Sequence, residues 1–245
     1  MDAQVMLRDE RNVSHVRVNA PPRTRPTFTM LLSLNGGYVD TAGFLAMQGL
    51  FTAHVTGNFV TLAAALIHGA SGVTAKLIAL PVFCAVVALV RLLGAIPTRF
   101  GLAGVRSLLV LKTLLLTAGA FCAIAYGPFP DADAWPAVVT GMLFVAAMAV
   151  QNAVQRIHIA DAPPSTLMTG NTTQIAIDAV DLIRGAVAGA DAPRARLRRM
   201  SANVGGFAAG CAIAACLFAL VGDWCFAAPP LLGLASLIWH MHLPD

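Results

Sequence analysis

Residues 54–68 read HVTGNFVTLAAALIH and residues 167–181 read LMTGNTTQIAIDAVD, so one tripeptide, Thr-Gly-Asn, opens two segments 113 residues apart. Self-similarity at a fixed offset is the signature of an internal repeat. Each triplet also follows an apolar segment that ends in a polar cluster. The clusters are Gly37-Tyr38-Val39-Asp40 in one half and Ala149-Val150-Gln151-Asn152 in the other. With one residue of slip, Asp40 and Asn152 occupy equivalent positions. The sequence therefore divides into a polar tail, 1–27, and one domain, 28–240, made of repeats 28–127 and 136–240.

Working outward from the triplets, the apolar residues fall in blocks: about 28–49, 52–68, 77–96, 107–126, 136–156, 167–188, 200–221 and 225–240. Most are close to the ~20 residues that a helix needs to cross a hydrocarbon core of about 30 Å. The chain is 58% hydrophobic and only 11% charged, against about 25% charged in soluble domains, so it cannot cover itself with a water-compatible surface. Segments 77–96 and 137–155 also lack the polar face of a soluble amphipathic helix. The expected fold is an all-α, polytopic membrane protein whose partner is the lipid bilayer.

The net charge of +4 does not imply nucleic acid, because the cations sit in tails and loops without interleaved aromatic residues. Their distribution bears instead on topology, since Lys and Arg concentrate on the cytoplasmic side. If all eight segments span, the cations split eleven inside to five outside. If 52–68 and 167–188 dip in and leave on the side they entered, every Lys and Arg except Lys76 falls inside. The second arrangement is expected: six spanning helices, two re-entrant or broken helices, inverted halves and a cytoplasmic N-terminus. Seven or eight full spans is the alternative. Residues 1–27 have no apolar core and read as neither signal nor transit peptide. Arg91 and Lys112, inside apolar stretches, are expected to snorkel.

Each triplet carries chemistry suited to a break in a buried helix. Thr56 and Thr169 suit an N-cap, Gly57 and Gly170 allow close backbone approach, and Asn58 and Asn171 offer both a donor and an acceptor. Two helix N-termini meeting at mid-depth would favour an anion or electron-rich polar solute. Asp40 is a carboxylate inside an apolar run, where charge is costly and faces a partner or cavity; Asn152, its counterpart, cannot ionise. His54 and Gln174 are further cavity-lining candidates. Asp178, Asp181 and Arg184 lie at helical spacing, as expected of an Asp–Arg pair on one helix face. The run Arg194, Arg196, Arg198 and Arg199 reads as a cytoplasmic topology determinant. Five cysteines without CxxC spacing argue against a disulfide framework or metal site, and no cofactor or catalytic motif stands out.

Gly37-Tyr38-Val39-Asp40, His54-Val55-Thr56-Gly57-Asn58, Gln151-Asn152 and Met168-Thr169-Gly170-Asn171 together resemble the YoaK family of bacterial inner-membrane proteins, which carry a domain of unknown function. The resemblance covers about 28–240; Ala149 stands where it implies a glycine. It implies a multi-pass protein of the bacterial plasma membrane and brings no substrate. The functional expectation is a permease or channel for a small polar or anionic solute, not an enzyme. Its site would lie between the repeats and use Asp40, His54, Thr56, Gly57, Asn58, Asn152, Thr169, Gly170, Asn171 and Gln174. A non-transporting assembly partner, sensor or accessory subunit is the alternative, and a homo-oligomer is compatible with either.

Overall fold

The computed structural model describes residues 26–95, 104–185 and 191–242. The expectations for the tail before residue 26 and for Arg99 therefore lie outside the described residues. The described chain is all-helical: α1 Pro26–Ala46, α2 Asn58–His68, α3 Val73–Ala95, α4 Val105–Tyr126, α5 Trp135–His158, α6 Met168–Ile183, α7 Asp191–Val221 and α8 Ala228–Met241. Short 3-10 turns precede α2 (Val55–Gly57) and α8 (Gly222–Ala227). Helix starts and stops follow local chemistry. Pro136 sits in the first turn of α5, where a missing N–H costs nothing. Gly69 ends α2 in the left-handed region, with φ of 64°, which glycine enters without a Cβ clash.

Among the described residues, four stretches are long and apolar enough to cross a membrane: Val73–Gly94, Val105–Tyr126, Trp135–His158 and Asp191–Met241. Leu77, Leu89, Leu92, Phe121, Leu220 and Leu231 all face outward on these stretches, as suits a protein solvated by lipid chains rather than water. Conversely, polar groups such as Asn35, Lys112, Gln151 and Asn203 are fully buried.

Two differences from the sequence reading stand out. The apolar segment 52–68 is not α-helical throughout: its α-helix begins only at Asn58, and eleven residues cover roughly 16 Å, about half a hydrocarbon core. The arginine run 194–199 is not a loop. It forms the first turns of α7, with Asp191 at the positive end of the helix dipole and Pro193 still early enough to be tolerated.

The helix pairs in contact are α1 with α7 and α8, α5 with α3 and α4, α4 with α8, α2 with α3, α6 with α7, and α1 with α5. The α1–α7 seam is a backbone-to-backbone contact. A Cβ on Gly210 would collide with the Leu34 carbonyl, one on Gly37 with the Phe207 carbonyl, and one on Gly206 would lie 2.9 Å from the Met30 carbonyl. Gly206 and Gly210 are four apart, the spacing that lets apolar helices approach through small residues. Ala149, where a glycine was implied, is fully buried, so its methyl is accommodated.

Candidate functional site

After α1 the chain reverses and runs back along the helix it has just left. Asp40, six residues before the end of α1, receives the backbone N–H groups of Thr52 (2.8 Å), Ala53 (2.7 Å) and His54 (3.3 Å) on Oδ1. Its Oδ2 lies 2.7 Å from Nδ1 of His54. Six residues correspond to roughly 9 Å of helix, which is the depth of the reversal. A carboxylate bound by several N–H groups satisfies backbone donors that would otherwise be orphaned.

The chain then leaves by the end at which it entered. Gln48, just past α1, accepts a hydrogen bond from Ser71 Oγ (2.7 Å) through its side chain and one from Lys76 Nζ (2.8 Å) through its carbonyl. Both donors belong to the start of α3 or the turn before it. The same end is closed by Asp133, which accepts N–H bonds from Gly72, Val73 and Thr74 and so caps α3 from the loop ahead of α5. Burial opposes the charge of Asp133, but the three amides and the Thr74 hydroxyl outweigh it and hold its carboxyl below the usual carboxylate range.

The second triplet repeats this construction at the opposite end. After α5 the chain turns back, and Thr166 donates to Asn152 Oδ1 (2.8 Å) while Gln151 Nε2 donates to Ser165 Oγ (3.1 Å) and to the Leu32 carbonyl (2.9 Å). Gln155 holds the turn by donating towards the carbonyls of Ile159, Ala162 and Pro163. Asn203 of α7 donates to the Pro163 carbonyl (2.9 Å) and accepts from Thr29 near the start of α1 (3.0 Å).

Both triplet asparagines are staples across seven residues. Asn58 accepts from the Phe51 N–H and donates to the Phe51 carbonyl, each at 2.8 Å. Asn171 donates to the Pro164 carbonyl at 2.8 Å. The return bond is missing in the second half because proline has no N–H to give.

The two reversals reach α1 from opposite ends and stop close together. A Cβ on Gly36 would lie 3.2 Å from Thr166 and 3.5 Å from Gln151 Nε2, whereas Asp40, one turn further on, holds Thr52, Ala53 and His54. The stretch Gly36–Asp40 is therefore where the two reversals come together. His54 remains about one-third exposed there and lies edge-on to Phe207 of α7, with ring centroids 5.4 Å apart.

Several sequence expectations are corrected in detail. Neither Thr56 nor Thr169 caps a helix: α2 starts behind Gly57 and α6 behind Leu167, without side-chain caps, because Asp40 and the asparagine staples already hold the turns. Thr56 is exposed, and Thr169 lines a shallow open groove with Met168, Thr173 and Ile177 on the outer face of α6. Gly57 packs against the Phe51 ring, 2.9 Å from where a Cβ would lie, but Gly170 has open space around it. Gln174 donates to Asp178 (2.8 Å), and the partner of Asp178 is Arg196 of α7, held through both carboxylate oxygens, rather than Arg184. Lys112 does not snorkel; it is fully buried.

Gln151, Ser165 and Thr166, which hold the second reversal, were missed as site residues. Lys112 packs inward with Leu109, Leu116, Gly119 and Ala123 on one stripe of α4, which its place in an apolar run does not reveal.

No curated protein and no solved structure matches the chain. A family model described as "Protein of unknown function (DUF1275)" matches residues 28–239, nearly all of the chain outside the polar tail. The chain belongs to this family of unknown function, in agreement with the resemblance read from its paired Thr-Gly-Asn motifs.

Proposed function

We propose that this chain is a permease or channel for a small polar or anionic solute, formed by two inverted halves with the passage between them. The observation that carries this reading is the convergence of two doubled-back segments on α1, from opposite ends, at Gly36 and Asp40. Irregular backbone at membrane depth costs several kcal/mol per unpaired group unless it is buried in protein or lines a wet cavity. Broken helices at the interface of inverted repeats are where many transporters bind their solutes.

The helix pairings support a two-fold repeat, and the approach of the two reversals to α1 from opposite ends supports its inversion. Exchanging α1 with α5, α2 with α6, α3 with α7 and α4 with α8 turns each pairing into another: α1–α7 becomes α5–α3, α1–α8 becomes α5–α4, and α2–α3 becomes α6–α7, while α1–α5 and α4–α8 map onto themselves. On this reading α1, α3, α4, α5, α7 and α8 span, and α2 and α6 re-enter. The cation distribution then gives a cytoplasmic N-terminus, and the family resemblance a bacterial plasma membrane.

Stopped-flow light scattering on proteoliposomes tests the reading. Vesicles shrunk osmotically in formate, chloride, urea or glycerol should reswell faster than protein-free vesicles in at least one solute. Equal rates in all four would sink the transport reading. They would favour a second one, a non-transporting membrane partner or sensor, for which the tight glycine seam and the engagement of Asn58 and Asn171 with main-chain atoms speak.

A further inference from the structure

The interior of the bundle is not one apolar core but two. One cluster includes Tyr38, Val39, Leu116, Phe144 and Met148, with Leu232 packed against it. The other includes Leu32, Leu108, Leu109, Val150 and Val154, with Leu237 packed against it. Between the two, each of α1, α4, α5 and α8 places a polar residue: Asn35, Lys112, Gln151 and Ser236, all with no exposed surface. The register agrees. A Cβ on Gly119 would lie 3.0 Å from the Phe144 ring; two turns back along α4 is Lys112, and two turns on along antiparallel α5 is Gln151.

This layer is under-satisfied. Lys112 Nζ, both polar atoms of Asn35 and Gln151 Oε1 are buried and have no hydrogen-bond partner. Buried polar atoms in native proteins are rarely left so, and Lys112 lies about 10 Å inside α4, too deep for an ammonium to be left unpaired at low cost. The free groups are complementary to one kind of guest. The ammonium and the Asn35 amide would donate to a negative oxygen or halide, and the carbonyl oxygens of Asn35 and Gln151 exclude a guest of higher charge by their own repulsion.

We infer that Lys112, with Asn35 and Gln151, binds a small monovalent anion in a polar layer at the centre of the bundle. Gln151 also reaches the second reversal through Ser165, so the layer is continuous with the convergence point at Gly36. That the bound anion is the transported solute rests on the permease reading; its binding does not.

The test uses the purified full-length chain in detergent, with sodium gluconate exchanged for formate, chloride or nitrate at constant ionic strength. Binding to the folded state raises Tm with ligand concentration. The wild type should show a saturable rise with at least one small anion and none with gluconate. Lys112→Met should lose that rise while melting in gluconate at or above the wild type, because it removes an unpaired buried group. Asn35→Leu should weaken the anion midpoint several-fold. No rise in the wild type, an unchanged rise in Lys112→Met, or failure of Lys112→Met to fold would each overturn the inference. The vesicle assay separates the two claims. A Lys112-dependent Tm rise without swelling keeps the site and ends the permease reading, whereas swelling in formate or chloride without any Lys112-dependent Tm rise keeps the permease reading and ends the site.

Discussion

At the scale of single residues, Asn58 and Asn171 show how much of a motif's role depends on its neighbours seven positions upstream. Asn58 meets a residue with both N–H and C=O, and Asn171 meets a proline that offers only its carbonyl. Leaving a buried backbone group unsatisfied costs about 1–3 kcal/mol. Asn58→Leu should therefore destabilise the protein by about 2–4 kcal/mol and Asn171→Leu by about half as much, read by denaturant unfolding in detergent. Equal costs would contradict the staple geometry. Asp40 acts on backbone too, so Asp40→Asn, which keeps an acceptor oxygen, should cost less than Asp40→Ala in the same assay. The sequence made all three residues conspicuous. It did not show that their partners are main-chain atoms, because a tripeptide carries no record of where the chain turns back.

At the scale of elements, the seam between α1 and α7 and the cap on α3 make separate predictions. Gly210→Ala places a methyl against the Leu34 carbonyl, and both helices would have to shift, whereas Gly170→Ala enters open space. The first should cost several kcal/mol or abolish monodisperse protein on size exclusion. The second should leave Tm within about a degree. A tolerated Gly210→Ala would contradict the backbone contact.

Asp133 has a carboxyl held below its usual value, so its capping contribution is full above the unfolded carboxylate value near ~4 and is lost as pH falls through the lower folded value. Asp133→Ala should be less stable at neutral pH and should lack this component of acid destabilisation in Tm measured against pH. The helices were legible from hydropathy alone, apart from the start of α2 and the arginine-rich start of α7. Those two were misplaced because an apolar segment need not be a helix throughout, and a charged one can be.

At the scale of the whole molecule, the apolar blocks already suggested a polytopic helical membrane protein, and the all-helical architecture, its long apolar helices and the family agree with that much; the two-part plan read from the paired Thr-Gly-Asn motifs and the cation bias is part of the proposal. The polar layer at Lys112 was not legible. A lysine inside an apolar run reads the same whether it faces lipid headgroups or the centre of a bundle, and only packing separates the two.

The claim on which the rest depends is that α2 re-enters, so that the halves are inverted. Single cysteines at Ala70 and Gly104, in a background freed of the five native cysteines, test it in intact cells with a membrane-impermeant maleimide. Ala70 is exposed beyond α2, and a cysteine there avoids the buried, left-handed Gly72 nearby. Inverted halves predict that the cysteine at position 70 labels from outside and the one at 104 labels only after lysis. Labelling at 104 with protection at 70 would mean that α2 crosses the membrane, that the halves are parallel, and that the passage proposed between them does not exist.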